Sequence, residues 1–179
     1  MKKVLIAGIG NILLGDDGVG PYVVQVLESA YDFDEGVELA DLGTPALDFI
    51  DHIAGRDALI VIDSVDNGKS GGALTLYGKK DLLRNSPSIR LDTHSPAITG
   101  TLVAAEVFFG VSPRDVLLIG ISASCYDAGC TLSAPVQAAT GDAVRAVLAE
   151  LDRLGVGYVR KPLADSKVWW MNAPQPQIA

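Results

Sequence analysis

The sequence predicts an α/β fold: a three-layer sandwich in which a twisted, mostly parallel sheet carries helices on both faces. Three observations point to it. Residues 4–7 and 58–62 are short, continuously apolar runs, as strands covered on both faces are. Stretches with apolar residues at helical spacing lie between such runs. The order strand, helix, strand then repeats along the chain, which is the signature of crossover connections in an open sheet.

The elements follow in order. Residues 3–8 form the first strand and end in Gly8-Ile9-Gly10. Residues 18–30 form a helix, with Val19, Val23, Val26, Leu27 and Ala30 on one face and Pro21 in the first turn, where a missing N–H costs nothing. Residues 37–42 are the second strand. Residues 45–54 are a helix with Leu47, Ile50 and Ile53 inward, closed by Gly55. Residues 58–63 are the clearest strand. Residues 73–78 alternate, as a strand with one wetter face does. Residues 79–93 read as polar and irregular, 99–109 as a helix, 116–121 as a buried strand and 134–154 as a long amphipathic helix. Beyond Gly155 the pattern dissolves. One domain over residues 1–160 and a partly mobile tail over 161–179 are expected, with Trp169-Trp170 packing back on the domain.

Bulk properties narrow the function. The 179 residues suffice for one domain with a sizeable core. No segment is apolar for the roughly 20 residues a membrane helix needs, and the N-terminus lacks a small-residue cleavage site, so a cytoplasmic protein is expected. The net charge of −8 argues against nucleic acid, which needs clustered Lys and Arg. The two cysteines, Cys125 and Cys130, are open to three readings: reduced thiols, a disulfide or a metal role. Two thiols alone are too few for a closed zinc site.

Chemistry is expected where strands end, because open α/β sheets place ligands beyond their carboxyl edges. Asp16 and Asp17 follow the first strand, Asp41-Leu42-Gly43-Thr44 the second, and Asp63 ends the third. His94 lies in Asp92-Thr93-His94-Ser95-Pro96, just before a helix. Asp17, Asp63 and His94 together would give two carboxylates and an imidazole, a set suited to zinc, nickel, manganese or iron with positions left open. Each has a plainer role available, as turn former, helix cap or surface imidazole; their shared rim favours the site. His52 sits in a helix and reads as surface. Rival motifs fail. Leu13 stands where a dinucleotide fingerprint needs its third glycine, and two carboxylates at the helix mouth would repel a pyrophosphate. GxxxxGK[ST] and Gly-x-Ser-x-Gly are both absent. Asp16 and Asp17 do not form a dyad, because adjacent side chains point apart.

Gly8-Ile9-Gly10-Asn11-Ile12-Leu13-Leu14-Gly15-Asp16-Asp17-Gly18-Val19-Gly20 resembles the opening signature of the nickel–iron hydrogenase maturation proteases. The likeness continues through Asp41-Leu42-Gly43-Thr44, residues 59–63, Thr93-His94, Gly120-Ile121 and Leu132-Ser133-Ala134-Pro135-Val136, covering residues 4–154. It implies an aspartyl endopeptidase that removes a short C-terminal extension from the hydrogenase large-subunit precursor once nickel has been inserted. It also implies that Asp17, Asp63 and His94 are the catalytic and metal-contacting residues. The nickel arrives with the precursor, and zinc or cadmium can stand in for it in crystals. Gly43, Thr44 and Asp16 are expected to contact substrate. Two stretches depart from the family pattern: Gly120-Ile121-Ser122-Ala123 replaces the common Gly-Ile-Gln-Pro, and Ser95-Pro96-Ala97-Ile98-Thr99-Gly100 follows His94 where many members have a Gly-Leu pair. The alternatives are a non-catalytic, metal-dependent chaperone of a hydrogenase precursor and a nucleotide-binding domain.

Overall fold

A computed structural model describes residues 1–45, 48–84, 97–110 and 112–162. Its centre is a five-stranded sheet. The strands are β1 (Val4–Ile9), β3 (Val37–Gly43), β4 (Ala58–Val65), β5 (Leu74–Gly78) and β6 (Asp115–Ser122), in the spatial order β3-β1-β4-β6-β5. The first four in that row are parallel; β5 pairs antiparallel with β6 at one edge. Every residue of β1 and β4 is buried, so both central strands are apolar throughout except at the end of β4, where Asp63 and Ser64 stand.

Strand alternation divides the core in two. Val4, Ile6, Ile60 and Ile62 face α1 (Val19–Ala30) and α5 (Ala134–Leu154). Leu5, Ala7, Leu59 and Val61 face α2 (Phe49–Ile53), α3 (Lys79–Arg84) and α4 (Ala97–Ala104). The result is the expected three-layer sandwich. Among the described residues, no helix is long and apolar enough to cross a membrane.

Helix α1 lies almost on the sheet. A methyl group on Gly20 would stand 2.3 Å from the Ile9 carbonyl oxygen and 2.4 Å from that of Ile62; one on Gly8 would stand 2.5 Å from the Gly20 oxygen. Two glycines facing each other thus let the helix mouth touch the ends of β1 and β4.

The structure corrects the sequence reading in four places. Residues 79–84 form helix α3 where an irregular stretch was expected. The helix expected at 99–109 begins at Ala97 and changes to π geometry over Ala105–Phe109 before Gly110, at φ 62°, ends it. Among the described residues, the helical segment within 45–54 is Phe49–Ile53; Leu47 lies outside the described residues. Beyond Gly155, β7 (Tyr158–Arg160) pairs antiparallel with β2 (Tyr31–Phe33), and the rings of Tyr31, Phe33 and Tyr158 pack on one another. Trp169 and Trp170 lie outside the described residues.

Candidate active site

The strand order reverses direction between β1 and β4: from β1 the chain goes to β3 on one side, and β4 lies on the other. The crevice outside the carboxyl ends of such a pair is where ligands bind in open α/β sheets. Both segments at that point carry an aspartate, Asp17 after β1 and Asp63 in the last turn of β4's pleat.

The loop after β1 folds back on itself at Gly10, whose φ of 134° only glycine adopts readily and where any Cβ would lie 1.8 Å from the Asp17 carbonyl oxygen. The Gly10 N–H donates to the Gly43 carbonyl at 2.8 Å, fastening this loop to the end of β3. A 3-10 turn over Gly15–Gly18 then presents two aspartates that diverge. Asp17 is 3% exposed. Its Oδ2 accepts the Asn11 N–H at 2.7 Å, and its Oδ1 accepts the Ser64 hydroxyl at 2.9 Å. Asp17 is therefore tied to the residue adjoining Asp63, itself 4% exposed. By strand alternation Asp63 shares a face with Leu59 and Val61, the face α4 covers, and α4 begins three residues after His94. His94 itself lies outside the described residues.

Asp16 takes a different part from the expected one. It is fully buried, and its carboxylate accepts four hydrogen bonds: from the N–H groups of Ser124 (2.7 Å), Cys125 (3.0 Å) and Ser133 (2.6 Å), and from the Ser133 hydroxyl (2.9 Å). Its own N–H donates to the Cys125 carbonyl at 2.9 Å. Ser133 is the N-cap of α5, so the Asp16 charge also meets the positive end of that helix. The acceptors expected to meet substrate are spent on the 124–133 loop. Gly43 and Thr44 do lie on the rim at the end of β3, the latter exposed. His52, read as surface, is half-buried in α2, and its carbonyl accepts from the Arg56 Nε–H.

Three polar groups near this edge were given no role by the sequence reading. Ser64 was signalled only by adjoining Asp63. Ser133 carried the N-cap signal but donates to Asp16 instead of its own helix. Ser122 donates to Asn67 Oδ1 at 2.8 Å, and the Asn67 amide donates in turn to Tyr77 and Thr75. The β4–β5 loop holding Asn67 gave no sequence signal.

A family model for hydrogenase maturation proteases (HycI) matches residues 21–150. The chain belongs to the hydrogenase maturation protease family. The protease is 36% identical over 155 residues to the hydrogenase expression/formation protein HupM of Azotobacter chroococcum mcd 1, covering 86% of this chain and 74% of that one. It is 28% identical over 154 residues to the hydrogenase 2 maturation protease of Escherichia coli K12, covering 86% and 93%. Its structure resembles that of the hydrogenase maturating endopeptidase HybD from E. coli, with a TM-score of 0.82 at 28% identity over 90% of this chain and 98% of the other. These relationships make the protease a peptidase, and set aside both the nucleotide-binding and the chaperone readings. Chemically, this edge of the sheet carries two buried aspartates, one in the turn after β1 and one near the end of β4. The Asp17 carboxylate accepts from one N–H and one O–H donor and has lone pairs to spare.

Proposed function

We propose that the protease removes the C-terminal extension of a nickel–iron hydrogenase large-subunit precursor after nickel insertion, in the cytoplasm. Asp17, Asp63 and His94 contact the nickel, which is cargo of the precursor. The observation that supports this reading is the linkage of Asp17 to the end of β4 through Ser64, which fastens the turn after β1 to the strand that carries the buried Asp63, at the switch point of the sheet. Two carboxylates and an imidazole suit a borderline dication such as nickel. Zinc or cadmium would occupy the same donors.

In this scheme the contact both certifies a loaded precursor and fixes the scissile peptide along the rim, where Gly43 and Thr44 line the groove. A carboxylate left free by the arriving substrate serves as general base toward water. Asp17 is suited to stay put during this step: its two donors fix its orientation, so no reorganisation is needed when charge develops.

Gel-shift analysis of a nickel-loaded precursor tests the proposal. Asp17→Asn, Asp63→Asn and His94→Ala should each slow processing by about 100-fold or more, and nickel-free precursor should stay uncut by the wild type. Normal processing by Asp63→Asn and His94→Ala would overturn it.

A further inference from the structure

The loop that Asp16 clamps carries a second cluster of chemically active side chains. Cys125, Asp127 and Cys130 bring two sulfurs and a carboxylate oxygen within 4.8 Å of one another. We infer that these three residues form a binding site for a thiophilic divalent cation of the zinc–cobalt–nickel class, separate from the crevice of Asp17 and Asp63.

The donor set selects the class of ion. Two thiolates with one carboxylate favour borderline and soft dications over magnesium or calcium, which take oxygen ligands. The size fits as well. Zinc–sulfur bonds of about 2.3 Å in tetrahedral geometry put two sulfurs about 3.8 Å apart, so the side chains need to close by about 1 Å at most. Both thiols are free, Cys130 exposed and Cys125 half-exposed.

The backbone already holds the donors in place. The Cys130 N–H donates to the Asp127 carbonyl at 3.3 Å, turning the chain so that residue 130 returns over residue 127. The Asp127 N–H donates to Cys125 Sγ at 3.4 Å, and that thiol lies 3.3 Å from the Asp127 carboxylate. The ends of the segment are fixed from outside: Cys125 by Asp16 through both its N–H and its carbonyl, and Gly129 by the Leu13 carbonyl at 2.9 Å. A preformed loop of this kind loses little chain freedom when an ion arrives. Binding exchanges the thiol protons for the ion: each cysteine sulfur forms a bond to the metal and releases its proton to solvent. Three protein donors leave a fourth position for water.

The site would brace the turn that bears Asp17. Gly15, the first residue of that turn, packs on this segment: a methyl group there would lie 2.9 Å from the Cys125 carbonyl oxygen and 3.5 Å from the Cys130 Cβ. An ion at the loop would therefore stiffen one wall of the crevice without entering it.

Cobalt titration of the reduced, metal-stripped full-length protein tests this. A thiolate-to-cobalt charge-transfer band should saturate at one equivalent and disappear on adding zinc. Cys125→Ser and Cys130→Ser should each abolish that band. Asp127→Asn should weaken zinc binding by about tenfold or more in a chelator competition. Asp63→Asn should leave the band unchanged, which separates this site from the crevice. No charge-transfer band in the wild type, or a band that survives in the Cys125→Ser/Cys130→Ser double variant, would overturn the proposal whatever the precursor assay shows.

Discussion

Asp16 and Asp17 adjoin in sequence and divide the labour at this edge. Four donors converge on the Asp16 carboxylate, and removing it takes the acceptor from three partly buried backbone N–H groups. Asp16→Ala should therefore destabilise the fold by about 3 kcal/mol or more, read as a fall in the guanidinium midpoint at unchanged m-value. Asp16→Asn, which keeps one acceptor oxygen, should cost less. Ser64→Ala acts on the other carboxylate. It deletes one donor to Asp17 and should lower precursor processing by roughly tenfold while leaving most of the stability in place. The sequence showed that both aspartates lay at a strand end and that they diverge. It could not show where Asp16 goes, because its partners lie 108 to 117 residues further on.

The helices and strands differ in how plainly they announced themselves. Strands β1 and β4 were legible as unbroken apolar runs, and α1 and α5 as stripes at helical spacing, because burial on one or both faces dictates those patterns. Strands β2 and β7 are three residues each, too short for any period, and they exist by pairing with each other across the chain. Helix α3 is mostly charged and offers no apolar stripe. The glycines of α1 carry a prediction at this scale. Gly20→Ala forces a methyl group into two carbonyl oxygens of the central strands, so α1 must lift and loosen Val19, Val23, Val24 and Leu27 from the core. About 3 kcal/mol is the expected loss, a drop in melting temperature of roughly 6–12 °C for a chain of this length. Tyr158→Ala should cost less, about 2 kcal/mol, by removing a ring packed at 5.9 Å against Tyr31 and 6.4 Å against Phe33. Calorimetry would check both.

Across the whole molecule, the fold class and the carboxyl edge of the sheet were readable because both follow from the order of elements. The strand order was not, since nothing local says that β1 lies between β3 and β4; the long-range pairing that sets it also makes the crevice. Strand β5 was legible as the alternating run at 73–78, but its antiparallel pairing with β6 at the sheet edge was equally hidden. His94, the imidazole of the sequence reading, lies outside the described residues, and its part in processing rests on the precursor assay.

Because one buried side chain stitches a segment near residue 130 to a turn near residue 16, the two travel as a unit. Anyone hoping to retarget the enzyme by transplanting that segment alone from a relative would sever the stitch at one end. A workable chimera must exchange both pieces together, so substrate preference here should drift in coordinated steps rather than one loop at a time.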